Sequence, residues 1–142
     1  MRRRLALATG TMAVIALSSV SLAQTGGSPI LGWAHAFPNG AGFGRVTPRH
    51  VYLGGDPTGN VTGVRWSGWG AGETIGMGTG WCPRQSVAHG YYCSVSLHAF
   101  DLGWCHGRSA YRMLSFYFKP GPRRRWTFGS QWNVCTGQSP GS

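Results

Sequence analysis

The stretch GWGAGETIGMGTGW at residues 68–81 has glycine at six of its seven even positions, with Thr74 as the exception. Because successive side chains of a strand point to opposite faces, one face of this segment is nearly bare and the other is full-sized. Strand glycines weaken a sheet unless something approaches the bare backbone closely. We expect aromatic rings of the same protein to cover this face. The alternative is a flat shelf for a sugar chain or a partner strand. The length of the segment also predicts a bend or bulge inside it.

The chain on either side of this stretch has few helix signals, since 23 of the 24 glycines and all eight prolines follow residue 23. From residue 91 onward the sequence alternates, which predicts a half-buried strand. One side of this strand would carry Cys93, Val95, Leu97 and Ala99, and the other Ser94, Ser96 and His98. Residues 110–118 are apolar on both faces, which predicts a central strand. The sequence GGDPTG at 54–59 predicts a turn. Together these patterns predict an all-β fold, a small disulfide-stapled antiparallel β-sandwich or barrel-like domain.

The N-terminal residues 1–23 have the features of a secretory signal peptide: a basic MRRR, an apolar run over 5–20 and a small-residue SLA cleavage site. The run is shorter than the roughly 20 residues that a membrane-spanning helix needs, so we expect no transmembrane segment in the mature chain. We therefore expect a protein that is secreted, extracellular or associated with the cell wall. Beyond the signal peptide we expect a flexible lead at 24–42, one β domain at 43–137 and a short tail at 138–142.

Cleavage after residue 23 would leave 119 residues with ten basic and three acidic side chains, a net charge of +7 with neutral histidines. Such a charge favours adherence to anionic partners such as a cell-wall polymer or polysaccharide. The alternative is that the charge only keeps the protein soluble. The glycines around residue 70 are not followed by a helix, so they are not a nucleotide or phosphate loop, and no nucleotide cofactor is expected.

The four cysteines all lie in the mature part, and an even number in an exported domain predicts two disulfides with three alternative pairings. We expect neighbours in sequence to pair, Cys82 with Cys93 and Cys105 with Cys135. Their spacing does not fit a CxxC zinc pattern, so no metal site is expected.

Exposed aromatic rings beside cationic side chains are the candidate ligand contacts. Trp66 shares its side with Val64 and should be core, whereas Trp69 falls with Arg65 on the polar side of a regular strand. The run RRRW at 123–126 combines charge with an indole, as in polyanion contacts, although a solvated turn also explains it. The candidate ligand-binding residues are Arg65, Trp69, Trp81, Arg123, Arg124, Arg125 and Trp126.

Catalytic signals are few, because only Asp56, Glu73 and Asp101 carry carboxylates and the five histidines lack metal-hydrolase spacing. His98 and Asp101 with a strand serine could be drawn as a triad, but neighbours on one strand seldom provide that geometry. We therefore expect no catalytic residues and no enzyme.

The sequence DLGWCHGR at 101–108, with Tyr111 and the closing CTG at 135–137, resembles a group of small exported actinobacterial proteins that lack an assigned activity. Further shared positions over about residues 43–137 are Val61, Val64, Trp66, Trp69 and Gly70. The resemblance implies a secreted β-sandwich-like domain in which Cys105 and Cys135 pair, and it implies no substrate.

Three functions remain as hypotheses. The first is a non-catalytic module that binds cell-wall or extracellular polysaccharide. The second is a secreted factor that binds an extracellular protein, such as a protease inhibitor or toxin-like effector, with Arg84 in the 82–93 loop as the contact residue. The third is a hydrolase that uses Glu73 or Asp101.

Overall fold

The computed structural model describes residues 26–118 and 131–139. The predicted signal peptide and the RRRW run lie outside the described residues. Seven strands and one 3-10 turn at Pro57–Gly59 form the described part, and none of its residues is in an α-helix. The strands are β1 Ile30–Leu31, β2 His50–Tyr52, β3 Asn60–Ser67, β4 Thr74–Pro83, β5 Gly90–Cys105, β6 Arg108–Phe118 and β7 Gln131–Asn133. No helix among the described residues is long and apolar enough to cross a membrane.

The strands form one curled sheet in the order β1-β6-β5-β4-β3-β2, with β7 also paired to β6. All neighbours are antiparallel except β1, which runs parallel to β6. From β3 to β6, each strand pairs with the next strand in the chain, which gives three long hairpins: β3–β4, β4–β5 and β5–β6. The expected all-β, disulfide-bonded fold is therefore confirmed, in the form of a half-barrel.

The glycine face of β4 points into the curl of the sheet, where side chains of this same protein cover it. A Cβ built on Gly76 would lie 2.8 Å from Val64 Cγ1 and 2.9 Å from the Trp66 ring. Valines cover Gly78 and Gly80 in the same way. Internal coverage is confirmed, but valines supply more of it than aromatic rings do. At Gly76, Gly78 and Gly80, β4 itself places no side chain on this inner face, which leaves the space to the side chains of neighbouring strands.

The first half of the glycine stretch is a loop rather than a strand. Gly68 and Gly70 have φ of 78° and 96°, and the chain re-enters the sheet at Thr74. The Thr74 hydroxyl is buried and donates to the Ser67 carbonyl at 2.8 Å, which closes the loop. This contact explains why the one non-glycine residue of the stripe is a threonine.

The core takes its side chains from every part of the described chain. Val95, Leu97 and Ala99 of β5 are fully buried, as the alternation predicts. β6 is central, because it pairs with β5, β1 and β7. The packed domain begins before residue 43, since Leu31 and Phe37 belong to the main core. The segment predicted as a flexible lead is thus partly built into the sheet, because β1 buries two apolar residues against β6.

Both disulfides join neighbours in sequence, as predicted. Cys82 pairs with Cys93 across the β4–β5 hairpin, and Cys105 pairs with Cys135, which attaches the C-terminal segment to the β5–β6 turn.

Candidate binding face

The candidate site is the convex side of β4 and its neighbours. Because the glycines of β4 point inward, its full-sized side chains point outward, and Ile75 and Met77 are 41% and 43% exposed. Residues paired across antiparallel strands share a face. The register pairs Trp81 with Tyr92, Thr79 with Ser94, Met77 with Ser96 and Ile75 with His98. We call this set, together with Arg65 on β3 and Tyr117 on β6, the outer face.

One end of the outer face is aromatic. Tyr92 is 75% exposed, and its ring lies edge-on to Trp81 with centroids 5.3 Å apart. The Trp81 indole N–H donates to the Val87 carbonyl at 2.8 Å, which fixes the ring against the β4–β5 turn. A fixed indole beside an exposed phenol is a pre-organised surface for stacking.

The other end of the outer face is a shallow depression of about 270 Å³, lined by Ile75, Ser96, His98 and Tyr117. Ser96 is the one small side chain among these four lining residues. The imidazole of His98 bonds the Glu73 carboxylate through Nε2 at 2.8 Å. The depression therefore combines an apolar wall, a hydroxyl and an imidazole–carboxylate pair, which can hydrogen-bond a polar ligand while its rings pack on the ligand's apolar side.

Between the two ends lie the exposed side chains of Thr79, Ser94 and Met77, which are small or flexible. Ser96, which lines the depression, is only 6% exposed. Tyr92 and His98 are six residues apart on β5, which is ~20 Å along an extended strand. The outer face is thus a strip with rings at both ends and hydroxyls between them.

Two of the predicted ligand residues lie on this strip. Arg65 pairs with Met77 across β3 and β4, is exposed, and makes no ion pair with a described residue. Trp81 belongs to the aromatic end. Arg123, Arg124, Arg125 and Trp126 lie outside the described residues.

Trp69 lies elsewhere, and the expectation of an exposed ring on the polar side of a regular strand is wrong. The chain turns at Gly68, so the alternation that defined this side ends before residue 69. The indole packs on the core, edge-on to Trp66 and Tyr111 at 4.9 and 5.1 Å, and its N–H donates to the Pro29 carbonyl. Trp66 packs against the core as predicted.

Arg84 is exposed in the β4–β5 turn, above the Cys82–Cys93 disulfide. Its guanidinium lies over the ring of Tyr91, 4.9 Å from the centroid. The Arg84 side chain is therefore folded onto its own hairpin.

The three described carboxylates each have a different partner, and Asp56 accepts from the Thr58 amide at 2.8 Å. Glu73 is engaged by His98, and Asp101 accepts from Arg112 at 2.6 Å. Within the described residues, the Ser96 hydroxyl makes no hydrogen bond to His98. The Ser86 hydroxyl does bond His89 Nδ1 at 2.9 Å, but no described carboxylate pairs with His89 to complete a serine triad. Cys105, His106 and Cys135 come within 4.8 Å of one another, but both sulfur atoms are in the disulfide and supply no thiolate for a metal.

Sequence reasoning missed Tyr92, His98 and Tyr117 as members of one surface. Alternation already placed Ser94, Ser96 and His98 on a common side, but it could not say which strand lies beside β5. The pairing registers of β4 with β5 and of β5 with β6 bring these side chains together on one face.

No protein-family model matches the chain, and no curated protein or solved structure is significantly similar to it.

Proposed function

We propose that this protein is a secreted, non-catalytic module that binds cell-wall or other extracellular polysaccharide through the outer face. The observation that carries the proposal is the strip itself, where the exposed ring of Tyr92 and the His98–Tyr117 depression flank a row of hydroxyl side chains. Sugars present apolar C–H faces and hydroxyl edges, so an alternation of rings and small polar groups along an extended strip matches a glycan chain.

Several features support an extracellular polymer as the ligand. The two disulfides are compatible with an oxidising, extracellular location. The signal peptide predicted at 1–23 would leave a mature chain of net charge +7, which favours anionic polymers over neutral ones. Arg65 on the strip is the described cation nearest in register to the depression.

The test is co-sedimentation of the oxidised mature protein with insoluble peptidoglycan and with common polysaccharides, at about 0.1 M and about 1 M salt, where the screening length falls from ~10 to ~3 Å. We expect retention at both salt concentrations, because stacking and hydrogen bonding are screened less than surface charge. Tyr92→Ala should weaken retention roughly tenfold, equivalent to ~1.4 kcal/mol.

The matched control is Trp104→Ala. Trp104 is 72% exposed, close to the 75% of Tyr92, and lies at the other end of β5. Equal losses in the two variants, retention only at low salt, or no retention on any polymer would each overturn the proposal.

A further inference from the structure

A second cavity lies at the edge of the sheet, separate from the outer face. It has a volume of about 540 Å³ and is lined by the loop 40–43 together with Arg45, Arg49 and His50. We call it the arginine cavity. Its lining includes Arg45, Arg49 and His50, which are all exposed, whereas none of Asp56, Glu73 and Asp101 lines it.

The cations of the arginine cavity have no internal counter-ion among the described residues. The ion pairs there are His98 with Glu73 and Arg112 with Asp101, so neither Arg45 nor Arg49 is neutralised. Side chains of like charge facing one cavity repel each other, and a bound anion would relieve that repulsion.

Backbone donors add to the positive potential. The amides of Gly42 and Phe43, which line the cavity, donate to no acceptor among the described residues. Neighbouring amides Gly40, Ala41 and Gly44 are all bonded to carbonyls. Unengaged amides in a tight loop are the donors from which anion-binding nests are made.

Close packing and hydrogen bonds fix the conformation of the loop 40–43. Gly42 has φ of 90°, and a Cβ there would lie 2.2 Å from the His50 carbonyl oxygen. Ala41 and Tyr52 exchange two backbone hydrogen bonds at 2.9 and 3.0 Å. His50 Nε2 bonds the Asn60 amide oxygen at 2.8 Å, which orients the imidazole. The cavity is therefore a pre-formed feature of the β2 edge.

We propose that the arginine cavity binds a phosphate group. Guanidinium forks bind the oxygens of phosphate in bidentate geometry, and a tetrahedral dianion satisfies two arginines better than a carboxylate with one negative charge. Phosphate monoesters carried by a larger molecule and free phosphate share this chemistry, because both can carry two negative charges. The proposal does not depend on polysaccharide binding at the outer face.

The test is a titration of the mature protein with inorganic phosphate at low ionic strength, followed by amide resonances and by calorimetry. We expect the amides of Gly42 and Phe43 to shift, and the double variant Arg45→Gln/Arg49→Gln to bind at least tenfold more weakly. The charge-matched control is Arg84→Gln/Arg108→Gln, which removes two exposed arginines outside the cavity and should retain affinity within twofold.

Each other outcome decides against the proposal. Equal weakening in both double variants would show that phosphate binding depends only on the net charge of the protein. Unshifted Gly42 and Phe43 amides would place the phosphate elsewhere. Acetate that binds as tightly as phosphate would overturn the phosphate assignment. A titration with glycerol phosphate, a monoester, separates the two sources. Affinity comparable to that of inorganic phosphate assigns a phosphate monoester carried by a larger molecule, and much weaker binding assigns free phosphate. Loss of phosphate binding with intact polymer retention leaves the proposed function standing.

Discussion

Gly78 of β4 is packed directly beneath Val61 of β3, because a Cβ at position 78 would lie 2.8 Å from Val61 Cγ1 and 2.7 Å from the Thr62 carbonyl oxygen. The second contact is with backbone, so the neighbour cannot simply change rotamer. We expect Gly78→Ala to lower the free energy of unfolding by about 1–3 kcal/mol through overpacking. Urea denaturation of the variant and the parent measures this difference in the free energy of unfolding.

The control for Gly78→Ala is Gly72→Ala, because nothing lies within 4 Å of a Cβ there and its φ is not positive. This variant should be neutral or more stable by up to about 1 kcal/mol, since alanine restricts the unfolded chain. Equal destabilisation of the two variants would show that the glycine face is not close-packed.

The glycine stretch also marks how far sequence reasoning reaches. Alternation identified a bare face and a full face, and the strand of Cys93 to Ala99 was assigned the correct buried side. The sequence of β4 alone does not indicate towards which of its two faces the sheet curls. The direction of curl follows from the valines and Trp66 on β3 that fill the space above Gly76 to Gly80, and these contacts cross between strands.

Trp69 shows why the positions of some candidate site residues could not be predicted from the sequence. Parity holds only while a strand is regular, and a single glycine with positive φ at position 68 ends it. The sequence did not distinguish the glycines that form the loop from those that form the strand, since both occupy even positions. Part of the candidate site can be predicted from the sequence, which indicates Arg65 and Trp81. Tyr92 and Tyr117 are recognised as members of the same face only once the strand registers are known.

The Tyr111 hydroxyl ties the 68–73 loop to the core. It donates to the Ala71 carbonyl at 2.7 Å and accepts from the Gly70 amide at 2.8 Å, while the ring is fully buried. Tyr111→Phe removes both hydrogen bonds and should cost about 1–2 kcal/mol of stability. Tyr92→Phe, which alters an exposed hydroxyl, should leave the denaturation midpoint unchanged.

Tyr111 also predicts an alkaline stability limit. Burial raises the pKa of its phenol above the ordinary value of about 10, although the Gly70 hydrogen bond offsets part of the rise. Above pH ~10 the unfolded chain releases this proton while the folded chain retains it, so stability falls as pH rises through the folded pKa. Below pH ~10 this group contributes no pH dependence. Denaturation midpoints between pH 9 and 11 should fall less steeply in Tyr111→Phe than in the parent, and parallel curves would contradict the assignment.

The two disulfides should contribute unequally. Loop-closure entropy gives roughly 4 kcal/mol for Cys105–Cys135, with a separation of 30 residues, and roughly 3 kcal/mol for Cys82–Cys93, with a separation of 11. Cys105 is also buried beside Ile30 and Ala110. We expect the Cys105→Ser/Cys135→Ser variant to lose more stability in urea than Cys82→Ser/Cys93→Ser. The reverse order would show that the β4–β5 hairpin depends on its disulfide more than the C-terminal attachment does.

Trp69 should act on stability and not on ligand retention, because its indole is packed between Trp66 and Tyr111 and bonded to the Pro29 carbonyl. Trp69→Ala should lower the free energy of unfolding by about 3 kcal/mol, through loss of aromatic packing and of a hydrogen bond. At a temperature where the variant remains folded by circular dichroism, its retention on polysaccharide should equal that of the parent, whereas Tyr92→Ala should reduce retention without a change in midpoint. Reduced retention by folded Trp69→Ala would move the ligand contact from the outer face to the 68–73 loop.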